Sequence, residues 1–474
     1  MSLPQPLPLG MQDFRSIVEG GYLYVDKTVY LHRLQRLGKY FFLSRPRRFG
    51  KSLNLSVIAA LYRGERELFR GLYIEDKWDW NVRHPVIRLN LTALGVETLG
   101  LEAALVQELH TLAEARGIQL TKTASTPLFR ELIEKTANGG KVVVLIDEYD
   151  APIIQYLGKD LARAMAHRDS LREFYAVLKK SDAALAFLFI TGVSKFSKVG
   201  IFSGMNNLTD ITGTPQFATM LGYTQTELEQ YFVGHIQAAA EAKKMTTETL
   251  LTQLREWYNG YRFNSEGATV YNPVSLHLFF TNHAFNNYWF ETGTPTFLID
   301  LLKQNGLYKF NLEPKTPLEF ESFELDNIHP YGLLYQAGYL TIDHVDEFGL
   351  YHLDYPNYEV ENAMLAYLLE AFGGVSKGSG QVVAIRLEQA LVANDVEQAV
   401  RILQRVFKGI PYPLHAKQSE SFYHAAVHLL FAYVGLRVQS EVCTSDGRVD
   451  CVVETPDRIY IFEFQLDQKP AQAL

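Results

Sequence analysis

The chain has 474 residues, 47% of them hydrophobic and 21% charged, enough to bury several cores; the length prior is about three domains. A formal net charge of −8 argues against an intrinsically strong grip on nucleic acid, and two cysteines, Cys443 and Cys451, are too few for a disulfide framework or a zinc site. The opening MSLPQPLPLG lacks the basic start and apolar stretch of a secretory signal, and no apolar run approaches the roughly 20 residues that span a bilayer, so a cytoplasmic protein with no membrane partner is expected.

The first informative stretch is LSRPRRFGKSLNLS, from Leu43 to Ser56. Tyr40 to Leu43 read as a short buried strand and Leu53 to Tyr62 as a helix, with Gly50, Lys51 and Ser52 between them as the GK[ST] end of a phosphate-binding loop. There a glycine permits the sharp turn, backbone N–H groups and the lysine meet phosphates, and the serine hydroxyl ligates Mg²⁺. Position 45, where the pattern has its first glycine, is Arg45, followed by Pro46, Arg47 and Arg48, and this basic cluster is expected to serve ATP phosphates. The expected nucleotide-binding residues are Arg47, Arg48, Phe49, Gly50, Lys51, Ser52 and Leu53.

Pro85 to Leu91 predicts the next strand, and Val142 to Ile146, five apolar residues that are β-branched apart from Leu145, predict a central one buried on both faces. Asp147 and Glu148 close it. Asp147 suits a Mg²⁺ ligand, and Glu148 suits the group that orients and activates the attacking water. A further strand, Ala183 to Ile190, follows helical residues 171 to 180 and leads to Thr191 and Ser194. Ser194 either senses the terminal phosphate or caps a helix. Strands alternating with helices define an α/β fold of P-loop NTPase type, a doubly wound parallel sheet with its ligand at the carboxyl ends of the strands.

Residues 215 to about 310 read as helical and rich in aromatics such as Trp257, Tyr258, Tyr261 and Phe263, a lid whose rings are expected in the core rather than as a base-stacking platform. A short helix near Tyr331 to Gln336 precedes two runs, Tyr339 to Val345 and Leu350 to Tyr355, that flank Asp346 to Gly349 as a hairpin, and a helix follows Pro356. Helix, hairpin, helix suits a winged-helix-like region. With His344, Asp346 and Glu347 and no arginine on the hairpin, a rigid arm sensing nucleotide state is expected over a DNA reader. Beyond helical residues 385 to 408, Glu420 to Val438 read as an amphipathic helix, and a hairpin carries Asp450 on one strand and Glu463 and Gln465 on the next. Asp450 and Glu463 on adjacent strands can bind Mg²⁺ together.

The ordered motifs YLYVDKT (Tyr22 to Thr28), RPRRFGKSL (Arg45 to Leu53), LIDEYDAP (Leu145 to Pro152), TGVSKFS (Thr191 to Ser197), NNLTDIT (Asn206 to Thr212), LGYTQTEL (Leu221 to Leu228), YNGYRF (Tyr258 to Phe263) and YNPVSL (Tyr271 to Leu276) resemble the AAA-ATPase-like proteins that carry a PD-(D/E)XK nuclease-like C-terminus. The resemblance implies that the phosphate loop RPRRFGK[ST] is the family's own form and that the core is an ATPase related to the STAND and archaeal groups. It implies nuclease catalytic positions at Asp450, Glu463 and Gln465, with Glu420 as the acidic residue of the preceding helix; Gln465 stands where that motif has lysine, which supplies charge and proton transfer that an amide cannot. The expected division is 1–214 for the ATPase-like domain, 215–310 for the helical lid, 311–380 for the winged-helix-like region and 381–474 for a nuclease-like domain incomplete at its C-terminus, a state that favours self-association or a protein partner. Two functions follow: a Mg²⁺-dependent ATPase coupled to a nuclease-like module in DNA-related or defence processes, with DNA as a partner, or a nucleotide-regulated STAND-like switch whose nuclease-like end is an inactive interaction module.

Overall fold

The computed structural model describes residues 4–92, 94–195, 201–202, 205–291, 298, 301–302, 314–320, 325, 330–373, 377–409, 420–433, 437–443 and 448–463. The chain forms two compact units, Met1–Gly293 with Leu312–Glu359, and Thr294–Asn311 with Val360–Leu474.

The first unit is built on a parallel sheet of five strands, β1 (Tyr40–Ser44), β2 (Val86–Asn90), β3 (Val142–Asp147), β4 (Leu185–Gly192) and β5 (Thr209–Asp210), in the order β2-β3-β4-β1-β5. Val142 to Ile146 are wholly buried, as an unbroken apolar run requires in a sheet covered on both faces. Strand β4 runs two residues past its predicted end, through Thr191 and Gly192. Since β4 lies between β1 and β3, the loop after β1, the acidic end of β3 and the Thr191–Ser194 segment meet at one edge of the sheet, the carboxyl-end crevice where open α/β sheets bind ligands.

The helices Gln225–Tyr231, Val233–Ala242, Thr247–Tyr258 and Pro273–Asn282, in the region expected to form a lid, enclose a second core of Phe232, Leu254, Tyr258, Leu276 and Phe279. Leu23 and Val25, from the segment before the sheet, belong to the same cluster. Tyr258 and Tyr261 are fully buried, so the aromatic residues of this region are packing groups. The helix Pro330–Ala337 leads to an antiparallel hairpin of β6 (Thr341–Val345) and β7 (Tyr351–Asp354), followed by the helix Tyr358–Gly373. On the hairpin His344 and His352 are cross-strand partners with rings stacked 4.1 Å apart, and Phe348 at the tip is exposed.

In the second unit, the helices Lys377–Val392, Val396–Gly409 and Glu420–Tyr433 accompany an antiparallel sheet of β8 (Arg437–Cys443), β9 (Arg448–Glu454) and β10 (Ile459–Phe462), with β9 central. The predicted hairpin is thus two strands of three. Phe462 packs against Phe431, and the Tyr460 hydroxyl donates to the Leu391 carbonyl at 2.6 Å. Cys451 is buried and forms no disulfide among the described residues. Among the described residues no helix is long and apolar enough to cross a membrane.

Candidate nucleotide site

Gly50 adopts φ 91°, a left-handed conformation that an L side chain rarely takes, and so turns the chain from the loop into the helix Lys51–Arg63. The loop, that helix, residues Pro8 to Gln12, Leu23 to Val25, Met220 to Tyr223 and Pro273 to Leu278 line a cavity of about 720 Å³. Arg47, Arg48, Phe49, Gly50, Lys51, Ser52, Leu53 and Glu148 are all on its wall. Apolar residues on the wall include Leu9, Met11, Ile17, Leu221 and Val274. His277 completes that wall, its Nε2 3.1 Å from the Tyr223 hydroxyl; burial lowers its pKa to about 3, so the imidazole is neutral.

Lys51 is buried against its own loop. Its ammonium donates to the carbonyls of Arg45 (3.0 Å) and Pro46 (3.1 Å) and lies 3.2 Å from Glu148 Oε1. Asp147 is fully buried, and among the described residues neither carboxylate oxygen makes a well-formed hydrogen bond; the Ser52 hydroxyl is the polar neighbour with the largest effect on it, and Arg88 Nη2 is 3.8 Å away. Burial raises its pKa, with Glu148 adding to the rise and Ser52, Lys51 and Arg88 opposing it. A buried carboxylate short of donors beside a serine hydroxyl is a donor set that fits a hard divalent cation. The hydroxyls of Thr191 and Ser194 are buried and find no hydrogen-bond partner among the described residues. The capping alternative for Ser194 falls on residues 196–200, outside the described residues.

The expectation that Arg45 serves phosphate is corrected. Arg45 is buried and absent from the cavity wall; its guanidinium donates to the carbonyls of Ser44 (2.9 Å), Thr212 (2.8 Å) and Phe217 (3.1 Å) and covers the Phe263 ring at 4.1 Å. Burial lowers its pKa to about 10, so it keeps its charge. Three further residues of the loop contact residues of the following helical region or the turn after the helix Pro330–Ala337. Pro46 lies against Gly338, the Arg47 carbonyl accepts from Trp289 Nε1 at 3.0 Å, and the Phe49 ring meets Tyr261 and Phe263 edge-on at 4.8 and 5.5 Å.

The wall facing the loop carries residues to which the sequence reading gave no role. Lys27 pairs with Glu227 at 2.7 Å and donates to the Thr219 carbonyl, and Glu227 closes a capping box with Thr224. That pair joins YLYVDKT to LGYTQTEL, and the helix Pro273–Asn282 starts from YNPVSL with Asn272 as its cap. The signal was present as motif order, but only the packing shows that the motifs face one cavity.

At the far end of the chain, the β9–β10 register pairs Phe462 with Cys451, and its continuation sets Glu463 opposite Asp450. Glu463 is exposed and Asp450 half-buried. Gln465 lies outside the described residues, and Glu420 is the first residue of its helix.

Sheet order, loop and cavity define a P-loop nucleotide-binding fold in the first unit. Residues 8–202 match the model of the predicted AAA-ATPase family, and residues 418–473 that of the PD-(D/E)XK nuclease superfamily. An uncharacterized protein in the vnfD 5′ region of Azotobacter chroococcum mcd 1 is 41% identical over 480 residues, covering 97% of this chain and 89% of the relative. The chain belongs to this AAA-ATPase-like family.

Two expectations follow from the geometry. Arg45→Gly, which restores the common glycine, and Arg45→Ala should each cost about 3 kcal/mol or more in urea unfolding, because three buried carbonyls lose a charged donor; a neutral or stabilising Arg45→Gly would show that the guanidinium is not an anchor. For His277, the folded pKa of about 3 lies below the ordinary 6.5, so the unfolded chain alone takes up the proton between those values. Wild-type stability should therefore fall relative to His277→Gln by about 1.4 kcal/mol per pH unit as pH drops below about 6, with no such divergence above pH 7. Parallel unfolding free energies from pH 7 to 4.5 would contradict this.

Proposed function

We propose that the protein is a Mg²⁺-dependent ATPase whose nucleotide state acts on a nuclease-like C-terminal module. The observation that carries the reading is Lys51 on the cavity wall, held by two loop carbonyls and Glu148, with the buried Asp147 next to Glu148 at the end of β3. Phosphate oxygens would replace the carbonyls and Glu148 as partners of Lys51, and Glu148 would then be released to accept a proton from water. Ser52 and Asp147 would hold Mg²⁺, which supplies charge neutralisation of the β- and γ-phosphates. Ser194 is placed by this reading at the terminal phosphate. The apolar wall of Leu9, Met11, Ile17 and Leu221 with neutral His277 suits the uncharged base.

Lys51→Ala should abolish measurable ATP binding by calorimetry, whereas Glu148→Gln should bind ATP within about threefold of wild type and hydrolyse it at least about 100-fold more slowly. Full hydrolysis by Glu148→Gln would remove Glu148 as the base, and unchanged ATP affinity in folded Lys51→Ala would remove the site.

In the C-terminal module, Asp450 and Glu463 are proposed to hold Mg²⁺, with Gln465 able to place a water but not to activate it. We expect no robust cleavage of single- or double-stranded DNA in Mg²⁺. Strong cutting that is lost in Asp450→Ala would make this module an active nuclease.

A further inference from the structure

The turn that carries Glu148 has an unusual backbone. Glu148 itself sits at φ +49°, a conformation that costs a non-glycine residue about 1 kcal/mol or more and persists only where its surroundings impose it. What imposes it is the end of β4. Tyr149 N–H donates to the Thr191 carbonyl at 3.0 Å, and the Tyr149 hydroxyl donates to the Ser194 carbonyl at 2.9 Å. Asp150, fully buried, accepts the backbone N–H groups of Val193 at 3.1 Å and Ser194 at 2.6 Å on one carboxylate oxygen. The fit is close: a Cβ on Gly192 would stand 2.5 Å from the other Asp150 oxygen.

Asp150 is thus a buried carboxylate that lines no part of the cavity, next to the proposed base, and it ties that base to the strand end bearing Ser194. We propose that Asp150 is a positioning residue for ATP hydrolysis, holding the Glu148 turn and the Val193–Ser194 backbone in register with each other. This inference rests on the reading of Glu148 as the base. Asp150 touches no reacting atom; its effect passes through the placement of Glu148 and Ser194. A misplacement of about 1 Å in such a group costs on the order of 100-fold in rate while leaving binding nearly intact.

The test is steady-state ATP hydrolysis and ATP binding by the full-length chain in parallel for wild type, Glu148→Gln, Asp150→Ala, Asp150→Asn and Gly192→Ala, with folding followed by thermal melts. Asp150→Ala should lower kcat about 100-fold with KM and ATP affinity within about threefold. Asp150→Asn keeps an oxygen for both N–H groups and should recover at least tenfold of that loss. Gly192→Ala leaves the carboxylate but crowds it, and should lower kcat in the same way. Should Asp150→Ala prove unable to fold, Asp150→Asn and Gly192→Ala carry the test: wild-type kcat in Gly192→Ala, or ATP affinity falling in step with kcat in either variant, overturns the proposal. Loss of hydrolysis in Glu148→Gln with normal turnover in Asp150→Ala defeats this inference alone. Normal turnover in Glu148→Gln, or none in wild type, defeats the underlying reading and the inference with it.

Discussion

A guanidinium with no access to water must find its partners inside the protein, and in this chain that requirement falls on Arg45, the residue at the start of the phosphate loop. Its donors reach the carbonyls of Thr212 and Phe217, more than 160 residues away, and its plane lies over Phe263 of the lid. The loop backbone is therefore fixed by side-chain chemistry where the common pattern relies on glycine. Proline at position 46 and the Phe49 ring extend the same design, since each fills a space made by Gly338, Tyr261 or Phe263.

One consequence is mechanical. Because Arg45, Arg47 and Pro46 touch Phe263, Trp289 and Gly338 directly, any change in loop conformation would act on those residues with no intermediate layer. The strand end has a similar link, because Lys195 N–H donates to the Gln336 side chain at 2.6 Å and its ammonium pairs with Asp210. Phosphate loop and β4 end thus both contact the helix that leads into the β6–β7 hairpin, at Gly338 and Gln336. A two-state response of that helix needs no more than differential contacts with an empty and a filled loop.

The sheet was legible in the sequence because its strands are short apolar runs and its loop and acidic turn are polar residues in fixed order. Val142–Ile146 and Tyr40–Leu43 could scarcely be placed elsewhere than in a buried parallel layer. Arg45 was misread for an equally physical reason: charge composition suggests a phosphate contact, and only long-range packing shows that Thr212, Phe217 and Phe263 claim the guanidinium first. The cavity wall was illegible for the same cause, since Lys27 and Glu227 lie 200 positions apart and nothing local marks them as a pair.

The two acidic clusters illustrate how far a motif reaches. At Asp147 the strand, its neighbours and the loop all belong to one unit, so each carboxylate has a defined environment: Asp147 is short of donors, Glu148 pairs with Lys51, and Asp150 is satisfied by backbone. It is the difference in partners, not the run of acids, that supports the proposed division into a metal ligand, a base and an anchor. Glu463 follows β10 directly, and the β9–β10 register continued by one residue would set it opposite Asp450, on a sheet whose strand β10 also presents exposed Ile459 and Ile461. Two carboxylates on neighbouring strands could attract a hard cation, but hydrolysis of a phosphodiester also needs a group that activates water, and under the proposed assignment that third position, 465, carries an amide.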